Sequence, residues 1–231
     1  TDEKQPYCRN HGSIEEASMK QQCKIKFCGI RRLEDVTYMN EFMPDYVGFV
    51  FAPSRRQVSP AVAMALGQEL HSDIKRVGVF VNEPIDKLIQ TAQTAQLDVL
   101  QLHGDEDCSY MDKLHETLKQ ETLSYEIWKA VRVKDEETIR MANQFQADKL
   151  LLDSFTTLTY GGSGKVANWE IIQTAKIEKP FFLAGGLTSQ NIVEGIKTVQ
   201  PYGVDLSGGI ETDGCKDRNK IARIIELVRN C

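Results

Sequence analysis

The chain is short of the features that most readily announce a function. Positive charge is not in excess: 28 Lys and Arg stand against 33 Asp and Glu, a net charge of −5 over 231 residues. That balance argues against nucleic acid as a partner, while leaving room for a local basic pocket that takes a small anion. No apolar run reaches the length of a membrane span, so no membrane partner is expected. No basic start, apolar centre and small-residue cleavage site occur in sequence. None of the six cysteines forms Cys-x-x-Cys, and no histidine lies at zinc-finger spacing. No metal site is therefore expected, and a reduced, cytoplasmic location fits best.

What the chain does have is a recurring alternation. Apolar, strand-like runs lie at 24–28, 46–51, 76–81, 99–102, 125–131, 149–153, 180–184 and 203–206. Several are nearly continuous, as in Tyr46-Val47-Gly48-Phe49-Val50-Phe51 and Leu150-Leu151-Leu152, which predicts strands buried on both faces. Helical spacing fills the gaps: Ile85, Leu88, Ile89 and Ala92 repeat at i, i+3, i+4, i+7, as do Ile221, Ile224, Ile225 and Val228. Pro60 and Pro84 stand where helices should begin. Eight strands each followed by a helix predict a single-domain α/β fold, the (β/α)8 TIM barrel, over residues 23–231. A doubly wound sheet would want fewer strands and a glycine-rich first turn, and Cys28-Gly29-Ile30 is not one. Residues 1–22 fall outside the repeat and form a short polar N-terminal extension, a tail or linker, in which Ser13 and Glu16 could make a capping box. Cys8 and His11 are too few to make a metal site.

In such a barrel the ligand side is the C-terminal end of the strands. There the sequence places Cys28, Arg55-Arg56, Gln101-Leu102-His103-Gly104, Asp153, Gly185-Gly186 and Ser207-Gly208-Gly209. The two glycine groups end strands seven and eight, where backbone N–H groups can close on a phosphate. They could also be tight turns. An aspartate after three leucines, Asp153, either caps a turn or faces the pocket as an acid. Cys28 is either a small packed residue or a thiol that becomes a base near positive charge. His103 is a base or a turn histidine and is carried as a candidate substrate contact. Arg56 presents a fork that matches a carboxylate, whereas Arg55 is read as a solvated charge. Gly162-Ser163-Gly164-Lys165-Val166-Ala167 fits a dinucleotide fingerprint but does not follow a strand directly, so Ser154 to Lys165 reads as a lid loop. A thiol, a carboxyl and a phosphate grip without a cofactor motif point to proton transfer on a sugar phosphate.

At this point the residues resemble the phosphoribosylanthranilate isomerase family, barrel enzymes of tryptophan biosynthesis. Lys26-Phe27-Cys28-Gly29-Ile30, Gly48-Phe49-Val50-Phe51-Ala52-Pro53 with Ser54-Arg55-Arg56-Gln57-Val58-Ser59-Pro60, Val77-Gly78-Val79-Phe80-Val81-Asn82 and Gln101-Leu102-His103-Gly104 carry the likeness. Leu151-Leu152-Asp153, Gly161-Gly162-Ser163-Gly164-Lys165, Leu183-Ala184-Gly185-Gly186-Leu187, Gly203-Val204-Asp205 and Lys216-Asp217 follow in register. Phe27 and Gly208 depart from the family pattern, which has an aliphatic residue before the cysteine and Ser-Ser-Gly after strand eight.

The resemblance implies Cys28 as general base, Asp153 as general acid and Arg56 as the anthranilate-carboxylate contact. Gly185, Gly186, Ser207, Gly208 and Gly209 would lie around the 5′-phosphate. The implied reaction is the Amadori rearrangement of N-(5-phosphoribosyl)anthranilate, with no metal or organic cofactor. A sister isomerase of histidine biosynthesis would carry a carboxylate where Cys28 stands. A non-catalytic phosphate-binding barrel is the rival of a different class. Monomer and homodimer are both open.

Overall fold

The computed structural model describes residues 22–153 and 169–231. The N-terminal extension, its Ser13–Glu16 box and the Ser154–Lys165 loop lie outside the described residues. Strands β1 (Lys24–Cys28), β2 (Tyr46–Val50), β3 (Lys75–Phe80), β4 (Val99–Leu102), β5 (Glu126–Arg132), β6 (Lys149–Asp153), β7 (Phe181–Ala184) and β8 (Gly203–Leu206) alternate with helices. These are α1 (Leu33–Phe42), α2 (Pro60–Gln68), α3 (Ile85–Thr94), α4 (Cys108–Gln120), α5 (Glu136–Ala142), α6 (Trp169–Thr174), α7 (Ile192–Val199) and α8 (Arg218–Arg229). The strands are parallel, follow chain order, and close when β8 pairs with β1, Ile25 opposite Val204. The expected (β/α)8 barrel is the fold. A 3-10 turn at Gly208–Ile210 and a hairpin, β9 (Glu211–Thr212) with β10 (Cys215–Lys216), sit between β8 and α8.

Strand periodicity explains how one chain builds two cores. Ile25, Phe27, Val47, Phe49, Leu100, Leu102, Leu150, Leu152 and Leu183 belong to the layer shared with the helices. The alternate positions Tyr46, Val77, Val99, Trp128, Leu151 and Phe182 form a separate cluster inside the barrel. There Trp128 stacks on Phe182 at 4.5 Å between ring centroids, and Tyr46 meets both rings edge-on. Each fully buried apolar side chain of this size stabilises the fold by about 1.5–3 kcal/mol. Being apolar on both faces, the strands read as continuous runs.

Helix starts follow their capping residues. Ser59 accepts from the Val62 N–H, with Pro60 in the first turn of α2; Asp107, Asp135 and Asp217 cap α4, α5 and α8 in the same way. Pro84 is the N-cap of α3 rather than a first-turn residue. Phe27, unusual before the cysteine, is fully buried in the outer layer and so points away from the pocket side of β1. No helix among the described residues is long and apolar enough to cross a membrane.

Candidate active site

A cavity of about 820 Å³ opens at the C-terminal ends of the strands. Its lining brings together Cys28, Arg56, His103, Asp153, Gly185, Gly186, Ser207, Gly208 and Gly209, with Arg55 and Gln101, whereas Leu102 and Gly104 do not line it. Cys28 ends β1 and Asp153 ends β6. Those strands are not neighbours in the barrel, so the thiol and the carboxyl approach one space from different walls.

Two glycines make room for this. Gly48 pairs with Cys28 across β1 and β2, and a Cβ there would lie 2.8 Å from the Cys28 Sγ. Gly29 has φ +86°, and a Cβ on it would lie 2.5 Å from the Arg56 Cδ. The glycine after the cysteine is therefore what lets the Arg56 side chain cross the end of β1.

Charge beneath the cavity is arranged around the thiol. Lys26 shares the inner face of β1 with Cys28, is fully buried, and places its Nζ 2.8 Å from Asp205 Oδ1. Burial alone would depress the Lys26 pKa, but the adjacent Asp205 outweighs it and holds the ammonium charged. Burial pushes the Cys28 thiol upward, Lys26 pulls it back, Asp205 adds to the rise, and Lys216 lowers it again. The thiol thus sits between two cations that favour its thiolate and a dry setting that opposes it.

His103 stands with its ring exposed at the rim, although local crowding makes desolvation the main cause of a lowered pKa, with Lys26 second. Its Nδ1 lies 2.7 Å from the Gln101 side-chain amide. A neutral ring accepting there carries its proton on Nε2.

Ser207 does not offer its hydroxyl proton to a ligand in this structure: the group donates to the Cys28 carbonyl at 3.0 Å. Arg56 also has a partner. Its Nε and Nη2 donate to Glu211 Oε1 and Oε2 at 2.7 and 2.8 Å. Arg55 is mostly exposed, as expected of a solvated charge, and also joins the same carboxylate at 3.0 Å. Lys129 forms a buried ion pair with Glu106 at 2.7 Å.

With this geometry in hand, the comparisons decide the family. Residues 25–227 match the family described as N-(5′-phosphoribosyl)anthranilate (PRA) isomerase. The chain belongs to that family. The N-(5′-phosphoribosyl)anthranilate isomerase of Thermoanaerobacter pseudethanolicus is 46% identical over 206 residues, covering 89% of this chain and 98% of the relative. The solved phosphoribosyl anthranilate isomerase of Thermotoga maritima is 36% identical with TM-score 0.77, covering 90% of this chain and all of that one. A further solved isomerase of the family is in complex with reduced 1-(o-carboxyphenylamino)-1-deoxyribulose 5-phosphate; it is 32% identical with TM-score 0.74, covering 90% of this chain and all of that one.

Within this candidate site, Lys26, Asp205, Glu211 and Lys216 were given no role by sequence reasoning. Lys26 could have been found, because a period of two places it on the face of Cys28. Asp205 carried a similar signal, a lone carboxylate between apolar neighbours on β8. Glu211 carried none, and Lys216 stood only in the motif Lys216-Asp217 without a role, because what the two do depends on where a hairpin of two-residue strands folds.

Proposed function

We propose that Cys28 and Asp153 are the base and acid with which this chain carries out its reaction. That reaction is the isomerisation of N-(5′-phosphoribosyl)anthranilate in tryptophan biosynthesis, the activity of the family to which the chain belongs. The observation that carries the assignment is the convergence of a thiol flanked by two cations and a strand-end carboxyl on one cavity. The catalytic unit in this reading is the barrel from residue 23 to residue 231.

The chemistry follows from the groups. Asp153 gives a proton to the furanose ring oxygen, the C1–O bond breaks, and the nitrogen lone pair closes to an iminium. Cys28 as thiolate takes the proton from C2, and the electron pair of that C–H bond moves into the iminium to give an enolamine. Tautomerisation yields the ketone, 1-(2-carboxyphenylamino)-1-deoxyribulose 5-phosphate. The iminium is itself the electron sink, so an acid and a base suffice. A positioned acid or base contributes roughly 10²–10⁴-fold each.

The remaining contacts divide the substrate. Backbone N–H groups of the loops at Gly185-Gly186 and Gly208-Gly209 take the 5′-phosphate, supported by positive φ at both Gly185 and Gly186. Arg56 takes the anthranilate carboxylate, and His103 donates from Nε2 at the rim. Five free cysteines among the described residues fit a reducing cytoplasm.

The test is kinetic. Cys28→Ser and Asp153→Asn should each lower kcat by at least about 100-fold, with a much smaller effect on KM. Loss of substrate fluorescence on turnover reports the rate. A variant retaining more than about a tenth of kcat would remove that residue from the assignment.

A further inference from the structure

Glu211 was assigned nothing by the sequence, yet it holds the densest polar cluster of the site. Its Oε1 accepts from Arg56 Nε and from Lys216 Nζ at 2.7 and 2.9 Å. Its Oε2 accepts from Arg56 Nη2 and Arg55 Nη2 at 2.8 and 3.0 Å. A carboxylate has about four lone-pair sites, so Glu211 has no capacity left for a ligand. Lys216 is equally committed: its Nζ donates to Glu211, to the Cys28 carbonyl at 2.6 Å and to the Ser207 carbonyl at 3.2 Å. Both side chains are almost wholly buried, 5% and 1% exposed.

Arginine has two edges that can grip a carboxylate, the side edge of Nε and Nη2 and the terminal edge of Nη1 and Nη2. Glu211 occupies the side edge. Among the described residues nothing is bonded to Nη1. The guanidinium plane is therefore fixed with one edge open, beside Gly208 on the cavity wall.

We infer that Glu211 is the positioning residue for carboxylate recognition: it locks the side edge of Arg56 and, through Lys216, registers that arginine against the catalytic strand end at Cys28. This rests on Arg56 being the contact for the anthranilate carboxylate. Displacement of Glu211 by the substrate carboxylate is the competing idea. It would strip from the buried Lys216 the only carboxylate paired with it among the described residues, and an unpaired buried charge is strongly unfavourable. Three cations against one anion also leave the cluster positive, which suits an acidic ligand arriving in addition to Glu211.

A double-mutant cycle tests this. Arg56→Ala, Glu211→Gln and the double variant are titrated by calorimetry with reduced 1-(o-carboxyphenylamino)-1-deoxyribulose 5-phosphate and with the same compound lacking the carboxyl. Arg56→Ala and Glu211→Gln should each weaken the carboxylated ligand by roughly tenfold or more and the other ligand little. The double variant should bind no worse than Arg56→Ala, because Glu211 acts through that arginine. In turnover, Glu211→Gln should raise KM more than it lowers kcat. Additive losses, or equal losses for both ligands, would overturn the positioning role. If Arg56→Ala itself failed to discriminate the ligands, the assignment of Arg56 would fall instead. Should Glu211→Gln not fold, Glu211→Asp is read the same way: it keeps the charge for Lys216 but is too short to hold all three cations.

Discussion

Lys26 and Asp205 form an ion pair inside the barrel, Nζ to Oδ1 at 2.8 Å, two strand positions below the thiol of Cys28. A buried pair of this kind is weak evidence for stability, since two well-packed apolar residues often do as well. Its value here is electrostatic. Lys26 is the largest influence lowering the Cys28 pKa, and Asp205 limits the effect by raising it.

Replacing Lys26 should therefore show first in the pH dependence. In the proposed mechanism the thiolate is the active form of the base, so kcat/KM rises with pH through the Cys28 pKa. Lys26→Met removes a stabiliser of the thiolate, raises that pKa, and moves the acid limb of the profile to higher pH. One pKa unit corresponds to a loss of about tenfold in thiolate at pH below the limb. The Met variant leaves Asp205 unpaired, so Lys26→Met with Asp205→Asn is the control for folding. An acid limb that stays in place in both proteins would mean that Lys26 does not act on the thiol.

The loops proposed to hold the phosphate contain one glycine suited to a clean test. A Cβ on Gly209 would sit 1.9 Å from the Leu187 carbonyl oxygen, and Gly186 has φ +65°, so substitution at either damages the protein itself. Among the described residues a Cβ on Gly208 meets only Arg56 Nη2 at 3.6 Å, an ordinary contact. Gly208→Val should fold, as judged by circular dichroism, and lose affinity for inorganic phosphate and for the phosphorylated product analogue alike. Wild-type affinity in the folded variant would move the phosphate off this loop.

Away from the chemistry, Glu106 organises the tops of three strands. It accepts from the Asn82 and Gly104 N–H groups at 2.7 and 2.9 Å and from Lys129 at 2.7 Å. Glu106→Ala strands a buried ammonium, which costs about 3–5 kcal/mol. In a domain of this size each kcal/mol lowers Tm by roughly 2–4 °C, so thermal unfolding should shift by about 6–20 °C. Glu106→Leu with Lys129→Met should recover most of the loss. No recovery would show that the backbone contacts of Glu106, rather than the unpaired charge, dominate.

Barrel topology was legible because eight buried strands leave continuous apolar runs, and their ends named the wall residues one by one. Cys28, Asp153 and Arg56 were readable since each stands where packing alone would not put it. The roles of Glu211 and Lys216 were not, because a hairpin of two short strands has no periodicity to read, and two of the three residues that saturate Glu211, Arg55 and Arg56, lie more than 150 positions away. The bond from the Ser207 hydroxyl to the Cys28 carbonyl was out of reach for a related reason: the two become neighbours only when the barrel closes between β8 and β1.

That saturated carboxylate also predicts how the protein responds to acid. Burial would raise the Glu211 pKa, but Arg56 and Lys216 reverse this and hold it down at about 2. In the unfolded chain it returns to the ordinary glutamate value of about 4.3. Between those values the unfolded state binds the extra proton, so stability rises with pH across the window and is lost as pH falls toward 2. The contribution is complete above the unfolded value and absent below the folded one. Denaturant titrations at a series of pH values should therefore show a slope in the wild type that is smaller in Glu211→Gln, whose side chain does not titrate. The variant is less stable at neutral pH, and its curve should approach that of the wild type near pH 2. Parallel curves throughout the window would mean that Glu211 keeps the same pKa in the folded and unfolded chain, and that its four contacts do not favour the charged form.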